Sequence, residues 1–506
     1  MANQLPEYLQ DSFIRKYCEY ASVDTALTDE IIYWKEQLIA NEDALEKIKQ
    51  YHERFIQQKM AYKDVFPENP KLIETFGGNI AGTMLFLLVL SGLPWTIAEY
   101  QRRGWDDTIC RETFRDMGIW SRHNKRNTGN TGLTWTIVGW FAGHLKLSLV
   151  GFGRLQFNVS MEMPEGITFF RNKKTSRILA LVSNDKQRFT AAGLPDDLQE
   201  EPSPNCWYTT WQETDALWIG HPIKPDGYVL PHKATLTKRD WEIILKEGDP
   251  VINTHIPEAG PMTPEMVLDS RRRAAAFFAK HLPEYHWKAF FCESWLLDPQ
   301  LNEILSPTSN IAVYRRRNYL IPCDLGEADT IWRCLGQQAV DHGVDAVPHT
   351  TGLQKAIAAF VKSGRKFHCG SSVLFPDDVE KDDPYHFPDG GTDDFACTCC
   401  GACCRWEGPV RVTAEEVRKI AEYLQIPEAE FLEKHTILAA DRRSLSLKER
   451  ADGSCIYYDP ETFLCRIQAV KPKQCSDFPF NWKFKDWQYY CPGSDAKEQK
   501  KDGTNI

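Results

Sequence analysis

Cys397-Thr-Cys-Cys-Gly-Ala-Cys-Cys404 packs five thiols into eight residues, and Cys455, Cys465, Cys475 and Cys491 follow. Nine of the sixteen cysteines therefore lie in the last 110 residues. The core of the run is C-x2-C-x2-C-C, a spacing that lets thiolates converge on one point. Soft thiolates at this density select zinc, Cu(I) or iron–sulfur iron over hard cations. The C-terminal segment thus reads as a metal domain. Cys403 and Cys404 are adjacent, so their side chains diverge and do not easily fill two corners of one tetrahedron. Either two metal centres or one centre with a spare thiolate satisfies this, with Cys399 as a second spare. Spacing alone separates neither zinc from iron nor a structural staple from a catalytic or electron-transfer centre.

Working back from the cysteines, residues 376–396 are strongly acidic and read as a linker. Residues 326–375 read as a helical extension, and 494–506 as a polar tail. Residues 1–148 read as a helical domain. Tyr8–Ala21 carries a helical apolar stripe, a long segment opens at Thr28-Asp29-Glu30, and separate helices are expected over 72–93, 94–102, 107–120 and 134–147. Asn124–Gly132 reads as a polar loop. From about residue 149 to 325 short β-type runs alternate with turns. Within them Pro264–His281 reads as a helix capped by Thr263, and 288–297 and 310–316 read as strands. In the tail, Thr413-Ala-Glu-Glu416 spells a capping box. The fold class is α+β and multidomain: helical, then mixed α/β, then small and cysteine-rich.

The 506 residues exceed one ordinary domain, and 42% hydrophobic with 26% charged residues is a globular composition. A formal net charge of −10 argues against nucleic-acid binding as the main task. Arg271–Arg273 and Arg315–Arg317 are local basic patches, read as solvated faces. The start lacks a basic segment followed by an apolar one, and the apolar run Met84–Leu90 is too short to span a bilayer. No membrane partner and a cytosolic location are expected. In that compartment dense thiols mean metal or redox chemistry and not disulfides. No P-loop, G-x-S-x-G or H-E-x-x-H motif occurs. Asn253-Thr-His255-Ile-Pro257 ends a predicted strand beside a proline turn, which makes His255 a candidate general base. Glu293 and Asp298, at the end of the next predicted strand, are further candidates for proton transfer.

Two resemblances follow from these motifs. C-x2-C-G-x-C-C, a helix pair, Cys455, Cys465-x9-Cys475 and Asp477-Phe-Pro-Phe480 resemble the YkgJ family of zinc- or iron-chelating cysteine-cluster proteins. A related cluster in flagellin lysine methylases is thought to hold an iron–sulfur centre. Lys471-Pro472 stands where the family usually has Arg-Pro. The resemblance covers about 397–493 and implies Cys397, Cys400, Cys403, Cys404, Cys455, Cys465, Cys475 and Cys491 as ligands. Separately, Gly153-Arg-Leu-Gln-Phe157, Gly248-Asp-Pro-Val-Ile-Asn-Thr-His-Ile-Pro257, Ser294-Trp-Leu-Leu-Asp-Pro-Gln-Leu301 and Ser309-Asn-Ile311 resemble GNAT-like bacterial acyltransferase-domain proteins. In these a helical N-acyltransferase N-terminal domain precedes a GNAT-like domain. This resemblance implies acyl transfer from acyl-CoA to an amine, on a small molecule or a protein lysine. His255 or a nearby carboxylate would take the proton, and a backbone amide on a splayed strand would polarise the thioester carbonyl. The ordinary GNAT pyrophosphate pattern R/Q-x-x-G-x-G/A is absent. Arg154 or Arg315, Arg316 and Arg317 would then meet the cofactor phosphates. Two other readings stand beside this one: a non-catalytic metal-delivery protein, and a protein-modifying enzyme whose cysteine domain recognises a polypeptide.

Overall fold

In a computed structural model of the chain, the described residues are 5–491 except 67–68, 197–199, 324–326, 386–394, 396–400, 407, 452, 461–463 and 485. They form two compact units. The first takes 1–163, 249–318 and 323–382; the second takes 164–248, 319–322 and 383–506.

The first unit opens with helices α1 (Asp11–Tyr20), α2 (Thr25–Ala40) and α3 (Glu42–Tyr51). Asp24 and Asn41 cap the second and third by accepting from Leu27 N and Ala44 N. Their apolar faces meet α4 (Gly78–Arg103). Every residue from Ala81 to Leu93 on α4 is buried. The sequence predicts a break at Pro94, yet one helix runs through it to Gly104, whose φ of +65° ends it. Burial of this rod in a helical bundle overrides the proline penalty. It is also the one described helix long and apolar enough to cross a membrane, and 78% of its apolar window is buried within the protein. Next come α5 (Asp107–Phe114), α6 (Asp116–Thr128) and α7 (Trp135–Leu145). The expected helix over 107–120 is thus two helices, and α6 consumes half of the expected loop before Gly129 stops it at φ +77°.

A sheet follows. β1 (Leu149–Phe152) and β2 (Leu155–Glu162) form a hairpin whose turn needs Gly153 at φ +59°. β3 (Pro250–His255) pairs antiparallel with β2 and parallel with β4 (Ala289–Ser294). Between β3 and β4 runs α8 (Pro264–His281), where Thr263 Oγ1 accepts from Met266 N and Pro264 opens the first turn. Phe277 and Phe278 of α8 pack on Phe152 of β1.

Two expectations are corrected here. Residues 310–316 are a helix, α9 (Asn310–Arg316), because Ser309 caps it by accepting from Ala312 N. Residues 326–375 are not helical throughout: after helices at Glu327–Leu335, Gln337–His342 and Gly352–Lys362, Gly370–Leu374 is a strand, β5, antiparallel to β4. The first part of the acidic segment is also packed and not free. Asp378 and Tyr385 are buried, and Glu380 and Asp382 pair with Arg272 and Arg317. Of the rest of that segment, 386–396, all but Phe395 lies outside the described residues.

In the second unit, strands at 167–172, 178–182, 217–223, 234–237 and 241–245 form an antiparallel sheet. Its core joins Phe170, Leu179, Leu181, Trp218 and Trp241, with Tyr490 of the cysteine region packed against it. The cysteine region contributes helices at Ala414–Leu424 and Glu428–His435 and a three-stranded sheet. Thr413 and Glu416 make both halves of the capping box.

Candidate active site and cysteine cluster

The parallel pairing of β3 with β4 links Val251 to Ala289, Ile252 to Phe290 and Asn253 to Phe291, and stops there. β3 continues paired to β2 as far as His255 opposite Gln156. β4 continues paired to β5 as far as Ser294 opposite Gly370. Beyond Asn253 the two parallel strands therefore part company, leaving a fork whose backbone groups face each other without a ladder. An extra residue in β2, between Asn158 and Met161, marks a bulge beside the fork.

His255 stands at the lip of this fork. Asn158 is its diagonal neighbour on the same face of β2, and His255 Nε2 lies 2.7 Å from Asn158 Oδ1. An Nε2–H donating to that oxygen leaves Nδ1 as the ring's acceptor. The Trp140 ring of α7 meets the imidazole edge-on, with centroids 4.6 Å apart. Burial pushes the imidazole down to about 4, so the ring is neutral near pH 7. Part of it still reaches solvent.

Glu293 is exposed on β4 and would stand opposite His255 if the parallel pairing continued. Asp298 is placed differently. It is fully buried, its Oδ1 accepts from Gln300 N at 2.8 Å and its Oδ2 from His368 N at 2.6 Å. Burial raises its carboxyl to about 6. Its geometry is that of a turn-holding group beneath the fork.

The arginines divide as well. Arg315 is buried and donates to Leu296 O, Pro299 O and Asn302 Oδ1, so its fork is engaged by the fold. Arg316 donates to Pro307 O. Arg317 pairs with Asp382 through one nitrogen, and Arg154 is held by backbone carbonyls. Arg154 is 5% exposed and donates to Gly260 O and Pro261 O, in the loop entering α8. Burial, then neighbouring Arg115, lowers its proton affinity. Arg271, from the patch read as a solvated face, is 2% exposed, lies over the Tyr314 ring and donates to Asn318 Oδ1. Arg154 Nη1, Arg271 Nε, and Nε and Nη1 of Arg317 are buried without a hydrogen-bond partner among the described residues. Of these, Arg154, through Gly260 and Pro261, and Arg317, beside Glu265, lie by the start of α8, where helix N–H groups also point outward, while Arg271 lies further along the helix. Sequence reading missed this because a run of arginines carries no sign of burial.

A cavity of about 300 Å³ begins three residues beyond His255, lined by Arg126, Glu258, Trp332, Arg333 and Gln354 among others. Hydrogen bonds from His123 and Arg126 hold the Glu258 carboxyl down at about 2.

In the second unit Cys403, Cys455 and Cys465 lie near enough to both Cys404 and Cys475 to act on their thiols electrostatically. Cys455 N donates to Cys404 O at 2.8 Å, fixing the first motif against the later cysteines. A hydrogen bond in which the Cys404 thiol donates to Cys403, together with burial, raises the Cys404 thiol, and burial pushes Cys475 up to about 12. Cys491 is buried among Ala402, Phe478, Phe484 and Trp487, with Cys403 packed on the same cluster. Cys397, Cys399 and Cys400 lie outside the described residues. Among the described residues no three potential ligands stand close enough together to hold an ion. Arg177 of the neighbouring sheet donates to Gln488 O and to Cys491 O.

The chain thus divides into a helical domain, a forked mixed sheet and a cysteine-rich region. Family models give the same division. The N-acyltransferase N-terminal domain matches residues 12–147 and the GNAT-like C-terminal domain 149–374. The CxxCxxCC domain, described as zinc- or iron-chelating, matches 396–492. On these matches the chain belongs with the GNAT-like acyltransferases and carries a CxxCxxCC domain.

Uncharacterized protein MJ0661 of Methanocaldococcus jannaschii is 36% identical over 87 residues, which is 17% of this chain and 45% of that protein. The chain thus spans under half the length of this curated relative. Among solved structures, an acyltransferase mutant in complex with octanoyl-CoA aligns at TM-score 0.47 and 19% identity, over 74% of this chain and 91% of its own. An acyltransferase in complex with decanoyl-CoA and teicoplanin aligns at 0.46 and 19%, over 71% and 87%.

Proposed function

We propose that the first two domains transfer an acyl group from an acyl-CoA to an amine, and that the site is the fork between β3 and β4. The observation that carries this is the end of the parallel ladder at Asn253 and Phe291, with His255 immediately beyond it. A thioester laid in the fork would meet unladdered backbone N–H groups, which suit the carbonyl oxygen as it gains negative charge. The amine lone pair attacks the thioester carbon, the C–S bond breaks, and the coenzyme A thiolate leaves. The neutral His255 takes the proton that the nitrogen sheds and can return it to the thiolate. The spare donors of Arg154 and Arg317 beside the start of α8 would hold the cofactor phosphates. Glu293, exposed across the fork, is the carboxylate placed to bind a cationic acceptor.

A thermal-shift series with acetyl-, octanoyl- and decanoyl-CoA tests the binding, and thiol release with a panel of amines tests turnover. His255→Ala should keep the thermal shift and lose roughly 10²–10⁴-fold in turnover. No shift with any acyl-CoA removes the reading and favours the non-catalytic alternative.

For the second unit we propose bound zinc or an iron–sulfur cluster held by the gathered thiols. Thiolate donors suit both, and a small loop-rich domain gains folding free energy from such a group. Cys403, Cys404, Cys455, Cys465 and Cys475 are the described residues that would hold it, with Cys397 and Cys400 completing the motif. Elemental analysis and the visible spectrum of anaerobically isolated protein distinguish the two. Metal content unchanged in both Cys455→Ser and Cys475→Ser would remove those residues as ligands. A cytosolic location accords with reduced thiols in this number.

A further inference from the structure

Behind Trp140 lies a carboxylate that neither the motifs nor the fork explain. Asp116 opens α6 and is only 2% exposed. Its Oδ2 accepts from Trp140 Nε1 at 2.8 Å and from Trp120 Nε1 at 3.2 Å. His144 Nε2 stands 3.3 Å from the same oxygen, within ion-pairing reach but without hydrogen-bond alignment. Asp116 Oδ1 is buried without a partner among the described residues. A buried carboxylate held largely by neutral indole N–H groups is costly, because two neutral donors offset only part of the lost hydration. The indole it grips is the one whose ring meets His255 at 84°.

We propose that Asp116, acting through Trp140, is a positioning residue that fixes the orientation of the His255 ring. The proposal deepens the acyl-transfer reading and rests on it for its catalytic consequence. The indole N–H anchored on Asp116 Oδ2 holds the Trp140 ring at one angle, and that ring and Asn158 Oδ1 leave the imidazole one orientation. The second link is through space. The groups facing His255 are Asp116 from α6, His144 from α7 and Asn158 from β2, with Glu293 exposed on β4. Burial and His144 disfavour the protonated ring, and the Asp116 charge favours it. Asp116 therefore offsets part of the loss of basicity that burial imposes on His255.

The test is a titration of the His255 ring by NMR in the full-length protein, assigned with His255→Gln, alongside rate measurements. Asp116→Asn should lower the His255 midpoint by about half a unit or more. It should reduce plateau kcat about tenfold while the KM for acyl-CoA stays within about twofold. Trp140→Phe keeps the ring contact and loses the N–H, so it covers the case in which Asp116→Asn does not fold. It should broaden or shift the His255 ring signals and reduce kcat in the same sense. An unchanged His255 titration and ring signal in whichever variant folds overturns the proposal, even if thermal stability falls. A shifted titration in a protein that transfers no acyl group keeps the coupling and removes the acyl-transfer reading instead.

Discussion

Burial drives His255 and Asp298 toward their neutral forms, and the consequences for stability run in opposite directions with pH. The folded-state imidazole of His255 lies at about 4, below its ordinary 6.5. Between those values the unfolded chain binds the proton and the folded one does not. The stability that His255 supports is complete above about pH 6.5 and is lost as the pH falls toward 4. His255→Gln should therefore flatten the acid side of a denaturation-midpoint profile measured between pH 4.5 and 7.5. Asp298 sits above its ordinary 3.8, so its contribution is complete below about pH 4 and fades as the pH rises through 6. Asp298→Ala orphans the amides of Gln300 and His368 and should cost on the order of 1–3 kcal/mol in chemical denaturation at neutral pH. The position of His255 at a strand end was legible from the proline turn that follows it. The roles of Asp298 and Arg315 were not, because capping and burial by distant backbone leave no local mark.

At the scale of elements, close approach sets the tolerances. A Cβ on Gly82 of α4 would lie 2.1 Å from Thr131 O, while Leu133 N donates to Gly82 O at 3.0 Å. Backbone cannot give way as a flexible side chain can. Gly82→Ala should thus destabilise the helical domain by about 3 kcal/mol, read from the unfolding midpoint. The misread elements have physical causes. Ile311, Val313 and Tyr314 are β-branched or aromatic residues that favour a strand, but the Ser309 cap wins locally. Pro94 reads as a stop, but the burial of α4 outweighs it. Gly370-Ser-Ser-Val-Leu374 is short and half polar, and only its pairing to β4 makes it a strand. The helix Pro264–His281 was legible because cap, first-turn proline and basic last turn agree.

At the scale of the whole molecule, the cysteine region and the 164–248 sheet belong to one unit, which no motif indicated. Arg177 is the visible tie, 6% exposed and bonded to Gln488 O and Cys491 O. Arg177→Ala should raise hydrogen exchange over residues 486–491 and speed metal loss to a chelator, with acyl-CoA binding unchanged. Equal metal retention in parent and variant would show that the tie is dispensable.

The two points where the chain leaves and re-enters the first unit, Met163 and Asp249, are joined by a 2.8 Å hydrogen bond from Met163 N to Asp249 O. The 85 residues between them therefore leave and rejoin the first unit at two points held together by one backbone bond, so a break in the chain within those residues should leave the β2–β3 pairing closed.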